Sequence, residues 1–235
     1  MKFYAVETAC LNPYENLAYE ELLMKFAQPG TCILFLWQND HTIVIGRNQR
    51  PEAECHVESF LKAGGWIARR RSGGGAVYHD RGNLNYSFIG YEAEKDRFCY
   101  VDIIGRAMES LGLDVTFNGR NDLLTGQRKF SGTASYRHKS VVCTHGTILI
   151  AGDTSAMQRY LTPEQSKMAR NGVQSVAARV VNLCSLLPTL TVADVKEVIM
   201  QVTESEALPW RVNQAELQKL CTVYASKEWI FGGIR

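Results

Sequence analysis

The stretch RRRSGGGAVYHD, residues 69–80, combines three arginines, three glycines and an alternating apolar segment. Consecutive glycines let a ligand approach the main chain closely and let several N–H groups converge on one point, which makes a nest for an anion. An arginine guanidinium adds a planar fork of donors that matches phosphate oxygens. The spacing is not GxGxxG and no GK[ST] follows, so the stretch is neither a dinucleotide-binding turn nor a P-loop. It predicts an anion site at a junction between two strands.

The three arginines of this stretch cannot all face the same side of a strand. Because side chains alternate, Arg69 and Arg71 should share one face and Arg70 should lie on the other. We therefore expect only one face to serve the anion, and one or two of the three arginines to be solvated.

Helix signals lie on both sides of this stretch. Asn12 and Pro13 predict a helix start, and the apolar spacing continues it to Phe26. A second helix is predicted from Pro51 to the glycine pair at 64–65, and a third from residue 101 to residue 111. After residue 150 the pattern is mostly helical, with N-caps expected at Thr191 and at Asn213, where Glu216 would complete a capping box.

The strand signals predict the fold class. Segments 32–37 and 41–46 alternate or run apolar and are joined by the short polar turn 38–40, and four more strand-like segments lie between residues 114 and 150. Connections of hairpin length favour antiparallel pairing. We expect an α/β (α+β) fold with a mixed, largely antiparallel sheet flanked by helices, and a single domain over residues 1–235.

Composition excludes several classes of protein. Of 235 residues, 46% are hydrophobic and 21% charged, and the net charge is +2, which is too small to indicate nucleic-acid binding. Seven cysteines without a CxxC pair indicate neither a disulfide framework nor a zinc site. The N-terminus lacks an apolar leader or an arginine-rich presequence, and no segment reaches membrane-spanning length. We expect a cytoplasmic protein with no nucleic-acid or membrane partner.

Two further segments contain candidate chemical groups. Lys129 precedes a glycine closely enough to reach a substrate lying on the backbone, although a surface lysine on an edge strand is the simpler interpretation. Asn121 and Asp122 either form a turn or hold a divalent ion. Cys143 and His145 should share one face of a strand, as a nucleophile with its base or as a buried thiol beside a histidine.

Taken together, these segments resemble the lipoate–protein ligase family. The resemblance spans nearly the whole chain, and its most specific parts are the RRxSGGGAVxHD and K-x-SG-x-A patterns. The matching segments are NLAYEE (16–21), LFLWQNDHTIVIGRNQ (34–49), ARRRSGGGAVYHDRGNLNYSF (68–88), GRNDLL (119–124), RKFSGTASYR (128–137), HGTILI (145–150) and KEWIFG (227–232). That resemblance implies the mixed sheet of class II tRNA-synthetase and biotin-protein-ligase catalytic domains.

The resemblance also implies roles for individual residues. Lys129 would be the catalytic lysine, which contacts the phosphate and the acyl carbonyl of an adenylate, and Asp122 would bind the metal. The implied nucleotide-binding residues are Arg70, Gly73, Gly74, Gly75, Ala76, Val77, His79, Asn83, Asn121 and Asp122. The implied acyl-pocket residues are Trp37, Val44, Gly46, Ser72, Ala134, His145 and Gly146. For Trp37, ordinary core packing is the alternative.

The implied reaction has two steps and uses ATP and Mg²⁺. Lipoate and ATP give lipoyl-AMP and pyrophosphate, and a lysine of a lipoyl carrier domain then attacks the mixed anhydride. The implied carriers are the E2 subunits of 2-oxoacid dehydrogenases and the glycine-cleavage H protein. Many relatives continue beyond KEWIFGG into a small accessory domain, which we expect to be absent here. Family members of this length either work with a separate accessory subunit or lack the adenylation step.

Three alternatives remain from the sequence. A protein acyltransferase would use lipoyl-AMP or an octanoyl donor without adenylation, but its cysteine nucleophile stands in a C-x-x-H-G pattern, whereas Cys143 stands in C-x-H-G. A one-residue shift turns a strand side chain to the opposite face. A non-catalytic binding partner would have no need of Lys129 and the three glycines. A biotin ligase would usually carry a GRGRxG-type loop, which this sequence lacks.

Overall fold

The computed structural model describes residues 1–119, 121–162 and 180–232. The strands in these ranges are β1 (Lys2–Glu7), β2 (Thr31–Trp37), β3 (Thr42–Ile45), β4 (Trp66–Arg69), β5 (Val77–His79), β6 (Asn83–Tyr91), β7 (Thr116–Phe117), β8 (Asp122–Thr125), β9 (Arg128–His138), β10 (Val141–Leu149) and β11 (Glu206–Ala207). The helices are α1 (Pro13–Leu23), α2 (Pro51–Glu54), α3 (Val57–Lys62), α4 (Tyr100–Ser110), α5 (Thr154–Tyr160), α6 (Val192–Thr203), α7 (Gln214–Tyr224) and α8 (Lys227–Phe231). Short 3₁₀ turns cover Met24–Phe26, Glu92–Phe98 and Leu183–Ser185.

Within these ranges the strands form two sheets. The larger has eight strands in the order β11-β1-β2-β6-β10-β9-β8-β7, and the smaller has three in the order β4-β3-β5. In the large sheet only β1 makes parallel pairs, with β2 and β11. In the small sheet β3 is parallel to β4 and antiparallel to β5. The mixed, largely antiparallel sheet expected from the sequence is confirmed.

The two faces of the large sheet bury different helices. Leu34, Tyr86 and Ile148 point to the face covered by α4 and α6. Phe35 and Ile89 point to the opposite face, where α1 and α7 pack. Each directly follows a residue whose side chain lies in the core of the first face. This separation follows from strand alternation, because successive side chains leave the sheet on opposite sides. The small sheet meets the large one on the α1 face, where Ala68 of β4 joins the same core.

The connection between β2 and β3 differs from the predicted pairing. The two strands lie in different sheets and do not pair with each other. The turn between them is fixed to α1 instead, because the Asn16 amide donates to the Gln38 carbonyl (2.8 Å) and to Asn39 Oδ1 (3.1 Å). A short polar connection is therefore compatible with a change of sheet, and the hairpin interpretation of this segment was wrong.

Several helix boundaries were predicted correctly, and one helix was not. Asn12 caps α1 through Tyr14 N–H, and Thr191 forms a complete capping box with Asp194 at the start of α6. The helix expected from Pro51 to Gly65 is instead two short helices, because Cys55 is extended and bridges to Leu161. None of the helices in the described ranges has both the length and the apolar character that a membrane span requires.

Candidate functional site

The loop after β4 is built around the guanidinium of Arg70, which is buried. Its Nη2 donates to the carbonyl oxygens of Gly73 (2.7 Å) and Gly75 (2.8 Å), Nη1 donates to Val44 O (3.1 Å), and Nε donates to Ser72 Oγ (3.0 Å). Four of its five N–H groups are therefore used, three inside the loop and one on β3. Burial lowers the pKa of Arg70 to about 10, so the side chain stays cationic near neutral pH.

The carbonyl contacts of Arg70 fix the direction of the glycine amides. In a trans peptide the C=O and the following N–H point in opposite directions. Because the Gly73 and Gly75 carbonyls point at Arg70, the N–H groups of Gly74 and Ala76 point away from it, toward the outside of the loop. Gly74 has a φ of +89°, which an L side chain rarely adopts. The loop thus presents amides outward over a buried positive charge.

Gly46 lets two backbones touch at this loop. A Cβ added to Gly46 would collide with the carbonyl oxygen of Gly74, and one added to Gly74 would lie 2.9 Å from Arg70 Nη2. The same added atom on Gly74 would lie 3.9 Å from Ala134 Cβ, which places the loop directly against β9. Gly46 is therefore part of the support of the loop.

The expectation that some arginines are solvated was wrong. Arg69 is fully buried, and its guanidinium donates to backbone carbonyls of the segment after β3 and of α8, including Arg47 (2.7 Å) and Ile230 (2.6 Å). Arg71 forms a bidentate pair with Glu21 and lies over the Trp229 ring, 4.7 Å from its centroid. Each arginine thus has a distinct structural role, and between them they attach the glycine loop to α8 and α1.

Lys129 lies on the same face of β9 as the glycine loop. Its Nζ is 2.7 Å from Asp122 Oδ1, and a Cβ added to Gly132 would lie 2.5 Å from that Nζ. Residues two apart on a strand share a face, so Ala134 lies on the same side as Gly132, roughly 7 Å farther along the strand. Ala134 is also the β9 residue next to Gly74. The predicted lysine and the predicted anion loop are therefore brought together.

Asp122 is held at the β8 end by neighbours. Its Oδ2 accepts from Asn118 Nδ2 (3.1 Å). Asn121 pairs with Thr133 of β9, whose N–H donates to the Asn121 carbonyl (2.9 Å). Both predicted polar residues thus lie beside Lys129, whereas Arg120 of the same motif lies outside the described residues.

A buried chain of hydrogen bonds runs under the loop from β10 to β2. His145 Nε2 is 2.6 Å from Ser72 Oγ, and Nδ1 is 2.9 Å from Glu20 Oε1. Ser87 donates to Glu20 (2.5 Å), and Trp37 Nε1 donates to Ser87 (3.1 Å). Because a carboxylate only accepts, we assign the ring proton of His145 to Nδ1 and the Ser72 hydroxyl as donor to Nε2.

Sequence reasoning missed Glu20 and Ser87 as members of this chain. Glu20 lies within the NLAYEE motif, which was recognised, but its hydrogen bond to His145 was not predicted. On β6 the polar residues Asn83, Asn85 and Ser87 are all buried, and they alternate with Leu84 and Tyr86. Polar residues that alternate along a strand usually face solvent. The structure shows that both faces of β6 are buried, and the sequence alone does not reveal this.

His79 is buried against this row. Its Nδ1 is 3.2 Å from Asn39 Nδ2, and its ring meets Trp37 edge-on. Within the described ranges, Nε2 of His79 and Nδ2 of Asn85 have no hydrogen-bond partner. Asn85 pairs with Trp37 across β6 and β2, so both groups lie near that side chain. Since a buried polar group without a partner costs about 1–3 kcal/mol, the two indicate a place for a polar ligand atom.

His79 predicts a measurable acid sensitivity. Burial, followed by the charge of Arg70, lowers its pKa from 6.5 to about 3. Below pH 6.5 His79 binds a proton in the unfolded chain but not in the folded chain. The contribution of His79 to the free energy of unfolding is therefore complete above pH 6.5 and is lost as the pH drops toward 3. The loss approaches about 1.4 kcal/mol per pH unit for this one group. Urea unfolding between pH 7 and pH 4.5 should show a flatter pH dependence for His79→Gln, and equal slopes for the two proteins would contradict this assignment.

Not every predicted pocket residue faces this site. Gly146 lies on the opposite face of β10 from His145, where an added Cβ would collide with the Tyr86 hydroxyl. Glycine is needed at position 146 because Tyr86 packs against it on the face covered by α4. We therefore correct the assignment of Gly146 to the acyl pocket. Val44 and Val77 pair across β3 and β5, and Val44 contributes its carbonyl to Arg70. Ala76 packs in the core of the small sheet.

A family model and two curated relatives all assign the chain to the same family. Residues 12–204 match the family described as the lipoyl protein ligase A/B catalytic domain. The chain is 39% identical over 183 residues to the lipoate-protein ligase A of Psychrobacter cryohalolentis, covering 78% of this chain and 54% of that protein. It is 37% identical over 236 residues to that of Bdellovibrio bacteriovorus, covering 94% and 70%. The chain therefore spans about half the length of the first relative and 70% of the second.

Solved structures share the fold. The bi-partite lipoate protein ligase of Thermoplasma acidophilum, from a study that includes its E2 lipoyl domain, superimposes with a TM-score of 0.82 at 24% identity and covers 100% of this chain and 97% of that one. A lipoate-protein ligase A bound with ATP gives a TM-score of 0.79 at 22% identity, with 99% of both chains covered. At these identities the similarity establishes the architecture.

Proposed function

This chain belongs to the lipoyl protein ligase A/B catalytic-domain family, and from that premise we propose that it attaches lipoate to a lysine of lipoyl carrier domains in an ATP-dependent reaction. Lipoate and ATP would first give lipoyl-AMP and pyrophosphate. The carrier lysine would then attack the acyl carbonyl and release AMP. The relatives that carry the lipoate-protein ligase A name support this activity.

The observation that carries the proposal is the placing of Lys129 and the outward glycine amides on one face of β9. The amides of Gly74 and Ala76 point away from Arg70, so they are free to donate to phosphate oxygens. The Lys129 ammonium lies over Gly132, and Gly132 is two residues along the same strand face from Ala134, the residue next to Gly74. An adenylate carries a phosphate and an acyl carbonyl on adjacent atoms, so this spacing suits that ligand.

Arg70 has a different role in this proposal from the one implied by the resemblance. Its guanidinium shapes the loop through the carbonyls of Gly73 and Gly75, so its charge acts on the phosphate through the loop rather than as a direct fork. A cation under a nest of amides still stabilises an anion bound above it. His79, Asn83 and Asn121 would complete the nucleotide side.

Lys129 would exchange partners during the reaction. Its ammonium pairs with Asp122, and both side chains retain part of their solvent exposure. When lipoate and ATP are bound, the ammonium would move to the oxygens of the carboxylate and the α-phosphate, reducing their repulsion. It would then polarise the acyl carbonyl for attack by the carrier amine.

The acyl chain would lie against the buried hydrogen-bonded chain. Ser72 lies at the junction of the glycine loop and His145, and its hydroxyl is set by both neighbours. Trp37 is almost fully buried and packs beside Phe35 and His79, so it serves as core as well as a wall of the proposed pocket. Ala134 supplies a small side chain where the loop meets β9.

The residues beside Lys129 also suit Mg²⁺. Mg²⁺ prefers oxygen ligands and is usually held by one or two carboxylates together with substrate phosphates. Asp122 provides such a carboxylate, with the amide side chains of Asn118 and Asn121 next to it. We expect Asp122 to hold the ion, which would neutralise phosphate charge when it is bound.

The proposed partners follow from the relatives. The Thermoplasma structure belongs to a bi-partite ligase studied with its E2 lipoyl domain. We extend this to propose E2 lipoyl domains and the glycine-cleavage H protein as carriers for this chain, with residues 1–235 acting as one catalytic domain. A separate small accessory subunit is the further partner that we propose.

Acyl transfer through a Cys143 thioester is less well supported. Cys143 is fully buried in the core under α1, and burial raises the pKa of its thiol well above the usual range. A protonated thiol without solvent access is a poor nucleophile. Its side chain points to the same face as His145, but Nδ1 and Nε2 of that histidine are engaged by Glu20 and Ser72.

Lipoate-dependent exchange of labelled pyrophosphate into ATP tests the first half-reaction. We expect exchange that requires lipoate and Mg²⁺ and that disappears when either is omitted. An acyltransferase would show no exchange and would acylate the carrier from an octanoyl thioester without ATP. Activity of that second kind alone would replace the proposed function with the transferase alternative.

A further inference from the structure

We propose that Glu20, Cys143 and His145 form a binding site for a borderline-soft divalent cation such as Zn²⁺. One ligand atom from each residue lies within 4.8 Å of the others, and all three side chains are buried. Cys143 and His145 stand two residues apart on one face of β10, and Glu20 approaches them from α1. The reaction proposed above uses Cys143 in no step, whereas His145 and Glu20 also belong to the buried hydrogen-bonded chain beside the proposed acyl pocket.

The three donor types suit zinc better than magnesium. Thiolate, imidazole and carboxylate bind Zn²⁺ at about 2.3, 2.0–2.1 and 2.0–2.2 Å, in a tetrahedral arrangement. Those bond lengths put neighbouring ligand atoms roughly 3.3–3.6 Å apart. His145 Nδ1 now lies 2.9 and 3.0 Å from the two Glu20 oxygens. A cation would therefore open the His145–Glu20 pair slightly and draw in the Cys143 sulfur.

The partners of these ligands match those of known metal sites. A metal-bound histidine commonly uses its other ring nitrogen in a hydrogen bond that fixes the ring, and a bound carboxylate is commonly hydrogen-bonded as well. Nε2 of His145 already lies 2.6 Å from Ser72 Oγ, and Glu20 Oε1 already accepts from Ser87. With a cation on Nδ1, the ring proton would move to Nε2 and be donated to Ser72.

Tyr136 offers a fourth oxygen at the same place. It pairs with Cys143 across β9 and β10, and its ring centroid lies 5.9 Å from that of His145. Its hydroxyl is buried and has no hydrogen-bond partner in the part of the chain that the structure describes. A phenol oxygen in this position could accept or donate a hydrogen bond at the site.

Binding of the cation would release one proton, and the cation's charge would be balanced by a thiolate and a carboxylate. The cation would displace the proton of the Cys143 thiol to solvent and neutralise the resulting thiolate. No oxidant or reductant is required. His145 has the largest remaining accessible surface of the ligands, 8% of its side chain, and is where a cation would approach.

A cobalt titration of the full-length, metal-free chain tests this site. Co²⁺ replaces Zn²⁺ in tetrahedral sites and reports a bound thiolate through a near-ultraviolet charge-transfer band. We expect this band at one equivalent of cobalt and its loss when Zn²⁺ is added. Cys143→Ala and Cys143→Ser should lose the band, Glu20→Gln should weaken affinity at least about tenfold, and Cys55→Ala, which alters another buried cysteine, should behave as wild type.

Thermal unfolding of each metal-free variant verifies that the band is not lost through misfolding. If the Cys143 variants fold poorly, Glu20→Gln and Cys55→Ala still give opposite expectations. A wild-type chain without the band, or a band that persists in Cys143→Ala, would overturn the site. The spectrum needs neither ATP nor lipoate, so its failure and a failure of the proposed ligase function are separate results.

Discussion

Lys129→Ala should lower ATP-dependent lipoylation of a carrier domain by about 10²–10³-fold, the usual loss when a preorganised group that stabilises transition-state charge is removed. The Lys129 ammonium pairs with the Asp122 carboxylate, 2.7 Å away, so alanine here would also take this cation away from that carboxylate. Initial rates of carrier modification and of pyrophosphate exchange would measure the effect. Both half-reactions should fall, because the same ammonium serves the phosphate and the acyl carbonyl.

Lys196→Ala is the matched control for that experiment. Lys196 also forms an ion pair, with Glu7 at 3.0 Å, but it lies on α6, on the far face of the large sheet. We expect a rate close to that of the wild type, because this pair lies across the sheet from the glycine loop and from Lys129. A Lys129→Ala protein as active as Lys196→Ala would remove Lys129 from the mechanism.

Gly46→Ala should damage the nucleotide loop through a single added methyl group. That Cβ would overlap the Gly74 carbonyl, which is backbone and can move only if the loop moves with it. Overpacking of this kind costs about 1–3 kcal/mol of stability. Displacing Gly74 also turns the outward amides, so ATP affinity should fall together with the urea midpoint.

Gly105→Ala is the opposite case in the same protein. Gly105 lies inside α4, and an added Cβ there meets nothing within 4 Å. Replacing a helical glycine with alanine should stabilise the chain by about 0.5–1 kcal/mol and leave ATP affinity unchanged. If Gly46→Ala and Gly105→Ala gave the same urea midpoint and nucleotide affinity, the contact between Gly46 and Gly74 would not support the loop.

The fold class could be predicted because it depends on local patterns. The caps at Asn12 and Thr191, the alternation of the long strands and the short connections are visible within a few residues. The separation of β2 and β3 into different sheets could not be predicted, because it depends on the contact of Asn16 with the intervening turn. A local turn does not specify which sheet the next strand joins.

The sequence proposes a set of candidate site residues but not their arrangement. The anion loop, Lys129 and Asp122 were proposed from residue types that suit phosphate chemistry. The orientation of Arg70 toward carbonyls was not found, since strand alternation gives a face and not a partner. Glu20 was missed because its partner His145 is 125 residues away, and such a pairing leaves no local signal.

The zinc-type cluster illustrates the same limit. The sequence lacks CxxC pairs, so the cysteine spacing did not indicate a zinc site. A Cys-x-His pair on one strand needs a third ligand from elsewhere, and only the packing of α1 on the sheet brings Glu20 to it. Spacing alone therefore detects sites formed by one segment and overlooks those completed by a distant helix.

Intact mass of a purified lipoyl carrier domain, after incubation with this protein, lipoate and Mg-ATP, tests the central claim most directly. A parallel incubation with preformed lipoyl-AMP separates acyl transfer from adenylation. We predict a gain of one lipoyl group in both incubations, so the proposed accessory subunit would assist adenylation without being required for it. The gain should require the carrier lysine and be lost with Lys129→Ala. A carrier of unchanged mass in both incubations would contradict the account.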